Sequence, residues 1–347
     1  MLRMVFVVTP ITSSYANTKD NKKFTLNPTQ EETFYKGLKP FALICKVIGV
    51  FSLQNVTQND GRLLKHSIFS LHAFWGPFIV GMATILNTHF ENDNFLSHMA
   101  MFSIARGISI PLLSAYYDKY LPEITSRIEE FYINIRSYIN DVPTKKNLNT
   151  HGRLILYISC IGYIILMCTN VTVLSIINDY KFPQIGNKIC DSFTFLTRQL
   201  LVIMYMYFCY NIKLILCSIR RICRQNIPIT EISKPGEPTS LEERLEALRL
   251  LHAEVVETVE LLNRAYGLRL LFYVAIFCIE VLISLYEFVN RQEHFKLYFI
   301  IYSILTLYMV CKFTEDITSR VSIIFYFIRN NEELKLNRDT FMSHKCS

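Results

Sequence analysis

The sequence predicts an all-α protein, a polytopic membrane helical bundle of six spans with long helices extending into the cytoplasm. Three observations predict it. Hydrophobic residues make up 51% of the 347-residue chain and charged residues only 19%, with a mean hydropathy of +0.25. The apolar residues gather in blocks of about 20 rather than in one-sided stripes, and a block of that length crosses the hydrocarbon core of a bilayer as a helix. Lys and Arg fall mainly between these blocks, where they act as determinants of topology.

The same composition excludes several classes. A net charge of +7 is compatible with nucleic acid in principle, but the basic residues are divided among inter-block segments, so no nucleic-acid partner is expected. Among the ten cysteines, Cys160, Cys168, Cys209, Cys278 and Cys311 lie inside apolar blocks, where a thiol behaves as a small hydrophobe. No CxxC pair is present, so neither a disulfide framework nor a metal site is expected. The chain has no HExxH, no GxSxG, no phosphate loop and no dinucleotide fingerprint. No catalytic residue, no cofactor and no enzymatic activity are therefore assigned. At the N-terminus, Pro10 interrupts a short apolar run after Arg3, which argues against a cleaved signal peptide.

In chain order, residues 1–65 form a cytoplasmic N-terminal tail. Within it the segment 37–51, GLKPFALICKVIGVF, is apolar but carries Lys39, Pro40 and Lys46; it is too short and basic to span and suits the membrane interface. Residues 66–217 hold spans one to four. Span one, 66–87, has Trp75-Gly76-Pro77 at its middle, where the missing proline amide kinks a helix. His66 and His72 are six residues apart and do not share a face as ligands would. Span two, 95–117, contains Arg106, and residues after 118 read as its helical continuation in the cytoplasm. Span three, 154–177, carries Thr169 and Asn170; span four, 193–216, has Arg198 near its start.

Residues 218–266 are a cytoplasmic loop and an amphipathic helix. The loop opens with Arg220, Arg221 and Arg224 and continues through a stretch containing Pro, Gly and Ser. Ser240 and Glu243 have the spacing of a capping box, which starts the helix. Leu241, Leu245, Leu248, His252, Val255, Val259 and Leu262 then follow alternating steps of four and three, the pattern of a packing seam. At Gly267 the amphipathic helix runs straight into apolar sequence, which marks a membrane surface. Residues 267–318 hold spans five (268–290) and six (295–313), and residues 319–347 form a cytoplasmic tail.

Orientation follows from the basic residues. Arg62, Lys65, Lys119, Arg127, Arg136, Arg153, Arg264, Arg269 and Arg320 lie on one side with the cluster after span four, whereas the loop after span one, HFENDN, has none. The N-terminus and, after six crossings, the C-terminus are therefore placed in the cytoplasm. A charge at bilayer depth is costly and needs a partner or an aqueous cavity. Arg106 and Glu280 fall near mid-depth, and Arg198 and Glu287 in the outer third, so two interhelical pairs are expected: Arg106 with Glu280, and Arg198 with Glu287. Such pairs either fix helix packing or contribute to ligand binding.

The run LEALRLLHAEVVETVELLNRAYGLRLLFYVA, with Leu251-His252, Leu261-Leu262-Asn263 and Tyr266-Gly267, resembles the segment leading into the fifth span of insect gustatory receptors. The segment GLKPFALICKVIGVF is similar to that family's stretch ahead of span one, and span order and long inner loops agree along nearly the whole chain. The family's Thr-Tyr and Gln-Phe signature belongs to a seventh span. The end, NRDTFMSHKCS, resembles the segment just before that span, so the chain is expected to be truncated before it. The resemblance implies a plasma-membrane chemoreceptor that detects a small-molecule tastant and, if complete, assembles as a homo- or hetero-tetrameric ligand-gated cation channel in the lipid bilayer; the family's seventh span lines that pore, so this chain is expected to lack its pore lining. It implies a ligand pocket in the outer half of the bundle, for which Thr169, Asn170, Arg198, Glu280, Tyr286 and Glu287 are the candidates by depth. An odorant receptor of the same architecture and a six-span transporter using the intramembrane Arg and Glu residues are the alternatives.

Overall fold

The computed structural model describes residues 34–67, 112–138, 182–225, 241–291 and 295–345, with positions 78, 109 and 161–162. The described residues are mostly helical. Five α-helices account for most of them: α1 Phe34–Ile48, α2 Leu121–Tyr138, α3 Phe182–Gln225, α4 Leu241–Arg291 and α5 Phe295–Lys345. Between α1 and α2 lie two short antiparallel strands, β1 Leu53–Gln54 and β2 Lys65–His66, with Leu53 opposite His66 and Gln54 opposite Lys65.

Local sequence explains where these elements stop. Gly49 has φ 85°, a left-handed conformation that glycine enters without steric cost, and it ends α1. Its amide donates to the Lys46 carbonyl (3.1 Å) and the Val50 amide to the Cys45 carbonyl (2.8 Å), the paired bonds of a Schellman motif. Residues 112–117 are helical, but a tight 3-10 turn, Asp118–Tyr120, separates them from α2. Pro122 accounts for the break: in a continuous α-helix its ring would clash with the carbonyl of Asp118. In α4 the helix passes through Gly267 without interruption, so the water-facing and apolar halves form one rod of 51 residues, about 76 Å long. The predicted sixth span and the residues after it are likewise one 51-residue helix, α5.

The core is organised around α3, whose residues from Leu200 to Ile219 are mostly buried. α1, α2, α4 and α5 all pack on it. Phe34 of α1 stacks on Tyr207 (5.6 Å) and lies 6.1 Å from Phe208, which in turn meets Tyr266 of α4 at 6.3 Å. Polar ties cross the same interfaces. Tyr205 and Thr314 share a 2.8 Å hydrogen bond between α3 and α5, and the Tyr132 hydroxyl of α2 donates to Asn211 at 3.1 Å.

In segment 37–51, Leu38, Phe41, Ala42 and Cys45 of α1 are buried within the core cluster shared with α2 and α3, as is Tyr35 just before it, whereas Val47 is exposed. Two helical segments among the described residues are long and apolar enough to cross a membrane, Leu196–Arg221 in α3 and Leu248–Tyr286 in α4. Predicted spans one, two and three fall largely outside the described residues.

The central position of α3 gives a direct expectation. Phe208→Ala, which empties a site 1% exposed, should cost about 3–5 kcal/mol and lower the thermal midpoint of the detergent-solubilised protein, whereas Leu282→Ala on the exposed face of α4 should leave the midpoint nearly unchanged.

Candidate functional site

The described charges within the apolar stretches of α3 and α4 meet in pairs. Arg198 of α3 is 2% exposed, and its Nη1 donates to Oε2 of Glu280 on α4, which is 18% exposed. The guanidinium also lies over the ring of Tyr273, 5.4 Å from its centre, one of the geometries in which an aromatic face attracts a cation. About three turns nearer the start of α4, Arg269 is buried with side-chain exposure of 2%, and its Nη2 donates to Asp118 Oδ1 at 2.8 Å and to the Ser114 carbonyl at 3.1 Å. The rings of Tyr266 and Tyr117 flank it at 5.3 and 5.7 Å. Asp118, fully buried, uses its other oxygen to accept from the Ser52 amide (2.9 Å) and the Ser52 hydroxyl (3.2 Å). Burial pushes the Asp118 carboxyl up from its ordinary range, and the Arg269 charge with the Ser52 amide opposes that rise.

Between the two arginines lies a small cavity lined by Leu113, Arg198, Leu201, Arg269, Phe272 and Tyr273. Its volume is about 10 Å³, at the lower limit for one ordered water. Among the described residues, Arg269 Nε and Nη1 have no hydrogen-bond acceptor. The arrangement therefore has hydrogen-bond donors and cationic planes packed against aromatic faces, suited to recognising an acceptor or an anionic group. Nothing in it resembles a nucleophile with its base.

The sequence-predicted residues are only partly brought together. Arg198 and Glu280 meet as partners of each other, a contact between one member of each expected pair; the expected pairings of Arg198 with Glu287 and of Glu280 with Arg106 involve groups outside the described residues. α3 begins at Phe182, well before the predicted start of span four, so Arg198 sits more than four turns into the helix and level with Glu280. Arg106, Thr169 and Asn170 lie outside the described residues, as does the side chain of Glu287. Tyr286 is 55% exposed on the outer surface of α4 and does not line the cavity.

In the predicted seam, Leu248, His252, Val255 and Leu262 are buried and Val259 is half-buried against the core; the side chains of Leu241 and Leu245 lie outside the described residues. The chain's own helices cover this seam, and His252 Nε2 approaches the Val321 carbonyl of α5 at 3.4 Å. Sequence reasoning missed Asp118, Arg269, Ser52 and Tyr273. Arg269 was legible all the same: continuing the seam in steps of four and three beyond Leu262 gives Tyr266, Arg269, Tyr273, Ile276 and Glu280, every one buried or half-buried.

Compared with known proteins, the chain matches no family model, and no curated protein matches it.

Removing one partner of the inner pair isolates its role. Asp118→Ala strands the Arg269 charge and should cost about 3–5 kcal/mol, read as a large fall in thermal midpoint, while Asp118→Leu combined with Arg269→Met should recover most of it.

Proposed function

We propose that the chain is a chemosensory receptor of the gustatory type, a multi-pass plasma-membrane bundle with a cytoplasmic N-terminus that detects a small external molecule and, within a tetramer, governs a cation pore. The observation that carries this reading is the apolar stretch Leu248–Tyr286 of α4, only 28% of whose most apolar part is buried by protein. The core helix of a soluble protein is apolar because neighbours cover it; a helix this apolar and this uncovered suits a lipid surrounding. The matching stretch in α3, 72% buried, is then the interior helix of the bundle.

The lengths of α4 and α5 also favour this reading. Each is about 76 Å long against a hydrocarbon core of about 30 Å, so roughly half of each rod stands outside the bilayer. That is the long inner extension the resemblance to gustatory receptors implies. Of the candidate ligand residues, Arg198 and Glu280 have the best support. They form a charged contact inside apolar surroundings, beside Tyr273, where a polar ligand that competes for either partner would shift how α3 and α4 are held. Thr169, Asn170, Tyr286 and Glu287 remain part of the proposed outer-half pocket by depth.

The test is functional expression with a panel of small tastants, read as cation current or calcium entry. A ligand-evoked current whose half-maximal concentration rises at least tenfold, about 1.4 kcal/mol, in Glu280→Gln would support the receptor and its site. Solute uptake without conductance would favour the transporter, and responses to volatile ligands alone the odorant class. An epitope tag at residue 20 should be accessible only after permeabilisation; staining of intact cells would contradict the orientation.

A further inference from the structure

The inner ion pair leaves one buried cation only partly used. A guanidinium carries five N–H donors and no acceptor. Arg269 is 3% exposed and engages Asp118 Oδ1 (2.8 Å) and the Ser114 carbonyl (3.1 Å) through Nη2 alone. Among the described residues nothing accepts from its Nε or Nη1. A donor buried without an acceptor loses its hydration and gains no bond in exchange, and the loss is larger for a charged donor. Such a group in a folded protein calls for an acceptor that the side chains around it do not supply.

The cavity that Arg269 lines is the place for one. Among the described residues its wall consists of three apolar side chains, Leu113, Leu201 and Phe272, the two guanidiniums of Arg198 and Arg269, and Tyr273. The Tyr273 hydroxyl accepts from Gln199 Nε2 at 3.5 Å, so its own proton is left to donate. The partner carboxylates Asp118 and Glu280 are not part of this wall, and neither are the unmatched hydroxyls of Ser114 and Tyr266. A water molecule in such a cavity would find donors for its oxygen and no side-chain acceptor for its two hydrogens. A particle that only accepts has no hydrogens to place. The volume of about 10 Å³ admits one small particle and is too small for a polyatomic group such as phosphate.

We propose that this cavity is a binding site for a single monatomic anion of the chloride type, held between Arg269 of α4 and Arg198 of α3. The two carboxylates reach the arginines from outside the wall, so the anion meets the cations at closer range than the carboxylates. By bridging an arginine of α4 to one of α3, the ion makes the contact between these two helices depend on halide. Arg269 lies just past Gly267, where predicted span five begins. The site is therefore at the opposite end of that span from the proposed outer-half pocket, and it is distinct from that pocket.

The test is the thermal midpoint of the full chain in lipid nanodiscs, with sodium chloride exchanged for sodium gluconate at constant ionic strength; gluconate is too large for the cavity. An ion bound by the folded state alone should raise the midpoint by about 2 °C for each tenfold increase in chloride above its dissociation constant. Bromide should act as chloride does. Leu113→Phe adds bulk to the wall while keeping both arginines and their carboxylates, and it should abolish the dependence. Asp118→Leu combined with Arg269→Met, which removes the donors together with their counter-charge, should abolish it as well. Chloride NMR gives a direct reading: the wild-type chain should broaden the line, bromide should reverse the broadening, and Leu113→Phe should cause none. A midpoint indifferent to chloride, without line broadening, would leave water as the occupant and overturn the proposal. An equal chloride dependence in both variants would mark a general salt effect and overturn it too. Neither measurement needs a ligand-evoked current, so the result is independent of the receptor reading.

Discussion

A charged side chain on the buried seam of α4 must be met by a partner from another segment, and much of the described structure follows from that constraint. The seam runs through Leu248, His252, Val255, Val259, Leu262, Tyr266, Arg269, Tyr273, Ile276 and Glu280 in alternating steps of four and three. Its three ionisable members are each met from a different element: His252 by the Val321 carbonyl of α5, Arg269 by Asp118 of the turn before α2, and Glu280 by Arg198 of α3. Sliding α4 by one turn, about 5.4 Å, would strand both arginines. Stranding a buried charge costs several kcal/mol, although the intact pair adds little over a well-packed apolar substitute. The pairs therefore specify the register of the helices more than they stabilise the bundle.

That distinction also explains which features were legible in the sequence. The all-α class, the continuous helix through Gly267 and the seam from Leu248 to Leu262 depend on periodicity within one segment, and periodicity is local. Partner choice is not. Matching Arg198 with a glutamate of α4 required the depth of each residue, and hydropathy does not fix where a helix begins. α3 begins at Phe182, ahead of the predicted start of span four, and Arg198 stands level with Glu280. Arg269 was read as a topology charge because it lies beside the membrane boundary, yet its position on the seam already required a buried counter-charge. Asp118, 151 residues away, carries no local signal of being that partner.

Carboxylates also fasten the loop between α1 and α2. Asp118 binds Ser52 near its start while engaging Arg269, so that part is tied to α4 through a charge-balanced contact. Further along, Asp60 caps a short turn and holds Arg62, while Glu129 of α2 accepts from the Tyr35 amide and ties α2 to the first turn of α1.

The most direct measurement of the register is a double-mutant cycle on the folded protein in lipid, pairing Arg198→Gln with Glu280→Gln. The structure predicts a coupling energy of about 1–3 kcal/mol. Additive effects of the two substitutions would contradict the pairing and, with it, the placement of α3 against α4.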